Sequence, residues 1–433
     1  MSNNRSFRNK FNLLTKQFLI KYSIIPYIFK WLLICLVISI LIGSASAGFL
    51  KSLNWVTDFR EGNLWIVALL PICGFLIGLL YHHYGKEVEG GNNMLIDTIH
   101  EPKQIIPFKM APLVYLGTIA THFFGGSAGR EGTALQMAGS IADQLSKPLK
   151  LTNSDRQTLI IAAVAGGFGS VFGTPLAGTF FALEFYRIGK IRSTAIFPAF
   201  ITAIMSDIVT KLWNTPHTHY NISTIPTINF THILLVIIAG IIFGLCALIF
   251  SKSLKNLGSF FKTKITYAPL RPFIGGVLVA ATVFLLGTSK YIGLGIPTIV
   301  QSFNEQLSFY DFALKLIFTV VTLSAGFKGG EVTPLFFIGA TLGSALSFII
   351  PLPISLMAGI GFVAVFAGAT NTPIACSIMA IELFGVDIGV YAAIACVVSY
   401  LVSGHNSIYM RQMVGEPKHQ NLEEDKGKRL NEL

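Results

Sequence analysis

The sequence predicts an all-α integral membrane protein of many short, tilted and broken helices, arranged as an inverted-topology repeat. The first ground is composition: 52% of the 433 residues are apolar and 12% are charged, about half the charge of a soluble protein of this length. The second is continuity, since the apolar stretches run long enough for helices and lack the alternation of barrel strands. The third is repetition. Glu131-x-Thr133-x-Leu135 with Gly139 returns as Glu331-x-Thr333-x-Leu335 with Gly339, and Thr174-Pro175-Leu176-Ala177 with Glu184 returns as Thr372-Pro373-Ile374-Ala375 with Glu382. Both matches keep their order and a displacement of about 200 residues, which implies two homologous halves.

The formal charge of +11 does not point to nucleic acid, because the basic residues cluster just outside the apolar spans, as cytoplasmic loops do. Cys35, Cys73, Cys246, Cys376 and Cys396 are scattered singly without metal or CxxC spacing, so they read as small core residues. No cofactor is expected.

Residues 1–30 mix Arg5, Arg8, Lys10, Lys16 and Lys21 with Phe7, Phe11, Leu13, Phe18 and Leu19. No uninterrupted apolar core with a cleavage site precedes Lys21, which favours a basic amphipathic helix on the cytoplasmic face over a cleaved signal peptide. The first membrane repeat is expected over 31–213, with spans near 31–50 and 64–81. Gly90-Gly91-Asn92-Asn93-Met94 reads in isolation as a turn. Two further glycine-rich breaks favour a helix interruption there instead. Residues 109–124 lead into Gly125-Gly126-Ser127-Ala128-Gly129-Arg130-Glu131-Gly132-Thr133, and a helix is expected to restart over 134–145. Residues 159–186 carry interruptions at Gly166, Gly167, Gly169 and Gly173, before Arg187, Lys190 and Arg192 mark an inside loop.

After a crossing at 197–209, the segment 214–231 contains neither Lys nor Arg and should be an extracellular linker. The second repeat is expected over 232–409, and Lys252, Lys255, Lys262, Lys264 and Arg271 mark the inside again. The first half thus starts inside and the second outside, so equivalent residues meet at one midplane site from opposite sides. Further helices are expected at 273–286, 313–325, 335–350, 358–368, 373–384 and 390–403, with a break at Gly326-Phe327-Lys328-Gly329-Gly330-Glu331-Val332-Thr333-Pro334. Residues 410–433 are highly charged and should form a short cytoplasmic helix or stay disordered.

Ionisable residues at membrane depth are costly and mark function by default. Glu131 and Glu331 are the two such carboxylates at glycine-rich breaks, and inverted repeats should bring them together. A carboxylate at a helix N-terminus is a tethered anion; protonated, it is neutral and can leave, which couples proton binding to anion binding. The bland alternatives are ion pairs, Glu131 with Arg130 and Glu331 with Lys328. Glu184 and Glu382 recur by symmetry and suit a structural or helix-end role, and His122 suits a hydrogen-bonded core residue. Gly125-Gly126-Ser127-Ala128-Gly129 also satisfies the GxSxG pattern, but the hydrolase elbow needs a preceding strand, and the run before it is helix-like. A cation/proton antiporter would use Glu131 and Glu331 as ligands, against which Arg130 and Lys328 stand.

Gly129-Arg130-Glu131-Gly132, and Gly326-x-Lys328-x-Gly330 leading into Glu331-x-Thr333-Pro334, resemble the filter loops of the CLC chloride channel and transporter family, and with the repeated TPLA helices the likeness runs from about 31 to 409. Chloride-selective members read Gly-Ser-Gly-Ile-Pro where this chain has Gly91-Asn92-Asn93-Met94-Leu95, and chloride/proton exchangers carry an internal glutamate at the position of Phe185. Asn or Met at the first break, Thr133, and the Gly-Gly-Glu-Val-Thr-Pro loop look instead like the fluoride/proton antiporter branch. The resemblance implies a CLC-type fold, a homodimer in the cell membrane with one pathway per subunit, and a gating glutamate, Glu131, that competes with the anion and carries the proton. It assigns coupling to Glu331 and Thr333, and the central tyrosine to Tyr409. A chloride channel or chloride/proton exchanger of the same fold is the alternative.

Fluoride is small and strongly hydrated, so its site must supply several close donors. Candidates are backbone around the helix starts (Gly129, Arg130, Gly132, Val332), the Asn92 or Asn93 amide beside Met94, the Thr333 hydroxyl and the Tyr409 phenol. Phe336 and Phe337 could present positive ring edges, although aromatic residues at this spacing also serve plain packing.

Overall fold

The computed structural model describes the backbone of residues 3–218 and 220–433, and side chains from residue 24 onward. Among the described residues sixteen α-helices follow one another. The first eight are α1 (Asn3–Gly62), α2 (Leu70–Tyr84), α3 (Asn92–His100), α4 (Met110–Phe123), α5 (Glu131–Asp143), α6 (Asn153–Phe172), α7 (Pro175–Glu184) and α8 (Ile196–Leu212). The second eight are α9 (Phe230–Lys264), α10 (Leu270–Leu286), α11 (Ile296–Ser302), α12 (Phe309–Ser324), α13 (Val332–Leu346), α14 (Ile354–Thr370), α15 (Pro373–Phe384) and α16 (Gly389–Val402). The amphipathic face expected for residues 1–30 falls largely on side chains outside the described residues.

Among the described residues, four segments are long and apolar enough to cross a bilayer: Ile24–Gly62, Leu64–Tyr84, Ser193–Leu212 and Phe230–Lys264. The first and last run well past the apolar stretches visible in sequence, since a helix continues into polar residues wherever nothing breaks its hydrogen bonds. Residues 159–186 split once, not four times. Gly173, at φ +72°, ends α6 in the left-handed region, and Pro175 starts α7 where its missing N–H costs nothing. Gly166, Gly167 and Gly169 lie inside α6 and serve contact; a Cβ on Gly167 would meet the Ala134 carbonyl oxygen at 2.9 Å.

The two halves pack alike. α6 touches α1, α5, α7 and α8 as α14 touches α9, α13, α15 and α16, and α4 meets α5 as α12 meets α13. The corresponding pairs α2·α10, α5·α13 and α7·α15 touch each other directly, which places them around the axis relating the halves. The closest approach is between α13 and α14, where a Cβ on Gly339 would lie 2.1 Å from the Gly361 oxygen and one on Gly361 2.2 Å from the Gly339 oxygen. Small residues that let helix backbones touch are the usual glue of helices in lipid, where water exclusion supplies no drive.

At α7·α15 the contact is reciprocal. The Glu184 carboxylate accepts from the N–H groups of Ile374 (3.3 Å) and Ala375 (2.8 Å) at the start of α15. Glu382 accepts from Leu176 (2.8 Å) and Ala177 (2.7 Å) at the start of α7. Each half's carboxylate therefore satisfies the free N–H groups of the other half's helix, the helix-end role expected from symmetry.

Two segments pack more closely than a bare loop or tail would. Residues 214–231 put Tyr220 against the rings of Phe303 (5.3 Å), Phe362 (5.4 Å) and Phe384 (6.0 Å), so the linker contributes to the core. Residues 410–433 form two short 3₁₀ turns, Gln420–Asp425 and Leu430–Glu432, and a two-residue strand, all docked on the body of the protein. Strand β2 (Met413–Val414) pairs in parallel with β1 (Arg187–Ile188), and Leu430 is buried. Arg429 reaches Asp97 (3.2 Å) and Glu101 (3.1 Å) around α3. Lys418 Nζ donates to the Tyr400 carbonyl (2.6 Å) and lies 3.9 Å from its ring centre. This charged segment docks by seating Val414 and Leu430 against Ile188 and by meeting helix-end carbonyls and carboxylates with its cations.

Candidate functional site

The two glycine-rich breaks meet at the centre of the fold. Gly129 N–H donates to the Gly330 carbonyl (2.6 Å) and Gly330 N–H to that of Gly129 (2.8 Å), a one-residue antiparallel bridge between the loops that open α5 and α13. Side chains would block it: a Cβ on Gly330 would meet Gly132 N at 2.7 Å. Such a bridge relates its two strands by a local two-fold axis, so the helices that follow start from one point and diverge. Their free N–H groups and positive dipole ends face a common spot.

Glu131, fully buried, fills that spot from the first half. Its Oε2 accepts from the N–H of Thr333 (3.1 Å) and of Arg130 (3.1 Å), and its Oε1 accepts from the Thr333 hydroxyl. Arg130 Nε is 3.8 Å away, beyond a hydrogen bond, while its guanidinium sits 5.9 Å from the Phe172 ring centre. Two backbone N–H groups, a hydroxyl and a nearby cation are the donors an anion would seek in a dry site. The Arg130 pairing weighed in sequence is thus present but loose, and the helix end does most of the holding.

Glu331 does not mirror this. Its Oε2 is buried without a partner among the described residues, as are Asn92 Oδ1 and the Tyr409 hydroxyl. All three residues line a cleft of about 160 Å³ together with Tyr81, Asn93, Gln136 and Lys328. Gly132 has no room for a side chain here, since a Cβ would come within 2.9 Å of the Asn92 amide nitrogen and 3.7 Å of Glu331 Oε2. One of the paired carboxylates is therefore held by three donors, while the other keeps one oxygen unpartnered among the described residues.

The remaining candidates divide. Tyr409 stands edge-on to Phe181 (6.3 Å) and Phe185 (5.9 Å). Phe336 stacks on Phe362 (3.9 Å) and adjoins Phe172 (5.2 Å), the ring beside Arg130. Phe337 does not join them. About 100° further round α13, it packs against Tyr291 (6.4 Å) with Lys315 Nζ at 5.2 Å from its ring centre. Val332 opens α13 in the core, and Met94 packs against the core while Asn92 lines the cleft. Asn93 accepts from Arg411 N–H (3.1 Å), tying the first break to the terminal segment. Lys328 lies over the ring of Tyr81 at 3.9 Å, not on Glu331. His122 faces the carbonyls of Thr118 (2.9 Å) and Ala128 (3.0 Å), and Ser127 meets Thr319 (2.9 Å) in a loop that follows helix α4. Tyr81, Gln136 and Thr118, whose hydroxyl meets that of Thr133 (2.6 Å), carry no signal in sequence that would have placed them here.

Residues 73–404 match the family model described as voltage gated chloride channel. The chain belongs to this CLC family. It is 52% identical over 403 residues to a "Chloride/fluoride channel protein" of Pseudomonas syringae pv. tomato, covering 92% of this chain and 89% of that one. It is 25% identical over 343 residues to the "H(+)/Cl(-) exchange transporter ClcA" of Klebsiella pneumoniae, covering 72% and 71%. A crystal structure of a CLC-type fluoride/proton antiporter superposes with a TM-score of 0.86 at 36% identity, covering 89% of this chain and 98% of the other. A slow cyanobacterial Cl-/H+ antiporter gives 0.76 at 20% identity over 91% and 97%, a likeness of fold alone. Family members are transporters, and the inverted repeat of broken helices is the CLC architecture.

Proposed function

We propose that this CLC protein exports fluoride in exchange for protons, as a homodimer in the cell membrane with one pathway per subunit. The observation that carries it is the Glu131 carboxylate seated on the N–H and hydroxyl of Thr333, where an anion would otherwise sit. Carboxylate and fluoride then compete for one set of donors. Once protonated, Glu131 has no charge to offer those donors and gives way to the ion. We read the end of the molecule bearing Arg187, Lys190 and residues 410–433 as cytoplasmic, so the cleft lined by Asn92, Glu331 and Tyr409 opens inward. The unpartnered Glu331 oxygen is the next proton acceptor along that route, in a chain where Phe185 packs against Tyr409 at the position that resemblance gives to an internal glutamate.

Fluoride over chloride is supported by the Asn92-Asn93-Met94 break and the Gly-Gly-Glu-Val-Thr-Pro loop, which resemble the fluoride branch, and by the 36% identity to a CLC-type fluoride/proton antiporter. The Pseudomonas relative is named as a channel for both halides, which supports passive conduction as the second reading. Flux in liposomes separates them. A fluoride gradient should drive protons uphill in wild type, and Glu131→Ala should lose that proton movement. Unchanged exchange in the variant would remove Glu131 from the mechanism; halide flux without protons in wild type would establish the channel.

A further inference from the structure

Lys328 is a buried-stemmed cation that the exchange chemistry above does not use. Its aliphatic stem crosses α4 at Gly117, where a Cβ would come within 2.9 Å of the Lys328 Cγ, and its ammonium sits 3.9 Å from the centre of the Tyr81 ring. Among the described residues no carboxylate lies within ion-pair distance of it; the charged groups that influence it are Glu89, exposed on the turn before Gly90, and Lys262 on α9. An aromatic face holds an ammonium in place while leaving its charge uncancelled, which a carboxylate partner would not. That charge lines a cleft in which Asn92 Oδ1 and Glu331 Oε2 are buried, unpartnered and repel anions, while the equally unpartnered Tyr409 hydroxyl can donate.

We propose that Lys328, seated on Tyr81, is the cation that captures the transported anion at the cleft mouth and hands it to the donors at Asn92 and the α5 and α13 helix starts. It builds on the antiporter reading, but requires only that a halide passes through this cleft. A fixed positive charge in a narrow, low-dielectric opening raises the local concentration of anions. Gly117 and Tyr81 are the shape complement that keeps the ammonium from collapsing onto Glu331, where it would neutralise the very group the proton needs.

The test is initial halide efflux from proteoliposomes over a range of internal fluoride, with chloride as the second probe. Lys328→Gln should raise KM roughly tenfold, with a much smaller change in maximal rate, and Lys328→Arg should restore it. Glu89→Gln, an exposed change, should lower KM, and raised ionic strength should raise KM in wild type more than in Lys328→Gln. Unchanged KM in both Lys328→Gln and Glu89→Gln would overturn the proposal, as would equal loss of rate in the Gln and Arg variants. If Lys328→Gln does not fold, the KM of Glu89→Gln decides, lowered as expected or unchanged against the proposal. Wild type that carries halide without protons would refute antiport alone, because KM is read on whichever halide crosses.

Discussion

Glu131→Gln keeps the length and planarity of the side chain and removes its charge. In the structure the carboxylate accepts two backbone N–H bonds of 3.1 Å and the Thr333 hydroxyl bond. Hydrogen bonds to a charged group contribute about 1.5–3 kcal/mol each, against about 0.5–1.5 kcal/mol for neutral ones. The amide must also turn one NH2 group toward donors, so at least one bond is lost outright. A loss of about 1.5–3 kcal/mol in the seat, at about 1.4 kcal/mol per factor of ten, weakens the tethered competitor roughly ten- to hundredfold. Fluoride should therefore bind Glu131→Gln roughly ten- to hundredfold more tightly than wild type at neutral pH. The sign with pH follows from the same competition. Acid removes the wild-type competitor, so wild-type affinity should rise as pH falls, while that of the variant should change less. Isothermal titration of detergent-solubilised protein with fluoride at several pH values reads both. Equal affinities and equal pH dependence in a folded variant would refute the claim that carboxylate and fluoride share one seat.

Two further predictions concern stability. Gly339→Val would drive a side chain into the Gly361 carbonyl oxygen, already 2.1 Å from the first added carbon, and neither backbone can yield without parting α13 from α14. Overpacking costs roughly 1–3 kcal/mol when side chains can adjust; with backbone as the obstacle, the variant should lose its monodisperse peak in size-exclusion chromatography. Asp143→Asn breaks a buried bidentate pair in which Arg156 Nε and Nη2 each donate at 2.7 Å. Stranding a buried charge costs roughly 3–5 kcal/mol, so the thermal midpoint in detergent should fall, whereas Lys30→Ala, which breaks a solvent-exposed pair with Asp155, should leave it nearly unchanged.

How much of this was legible in the sequence follows from where the information sits. Membrane class, inverted halves and the meeting of Glu131 with the 331–333 segment needed only composition, charge sidedness and the repeated motif, because a two-fold relation between homologous halves dictates which residues face each other. The helix-end role of Glu184 and Glu382 came from the same symmetry. Local sequence failed where contacts are long-range. The fate of Lys328 depended on Tyr81 and Gly117, far away in the chain, and pairing with Glu331 was only the nearest option in sequence. Phe337 shared Phe336's motif but not its direction, which a helix sets by rotation and packing.

The sequence by itself determined that two broken helices from opposed halves would present their N-termini and one carboxylate each to a shared midplane point, since periodicity, glycine and symmetry are written locally. Only the tertiary structure decided that the two carboxylates are unequal. Glu131 accepts from the N–H and hydroxyl of Thr333 on α13, while Glu331 Oε2 is left without a partner among the described residues, because the donors at the start of α13 are already engaged by Glu131. The docked 410–433 segment was likewise decided by partners on α3 and α16, whose positions no property of its own residues encodes.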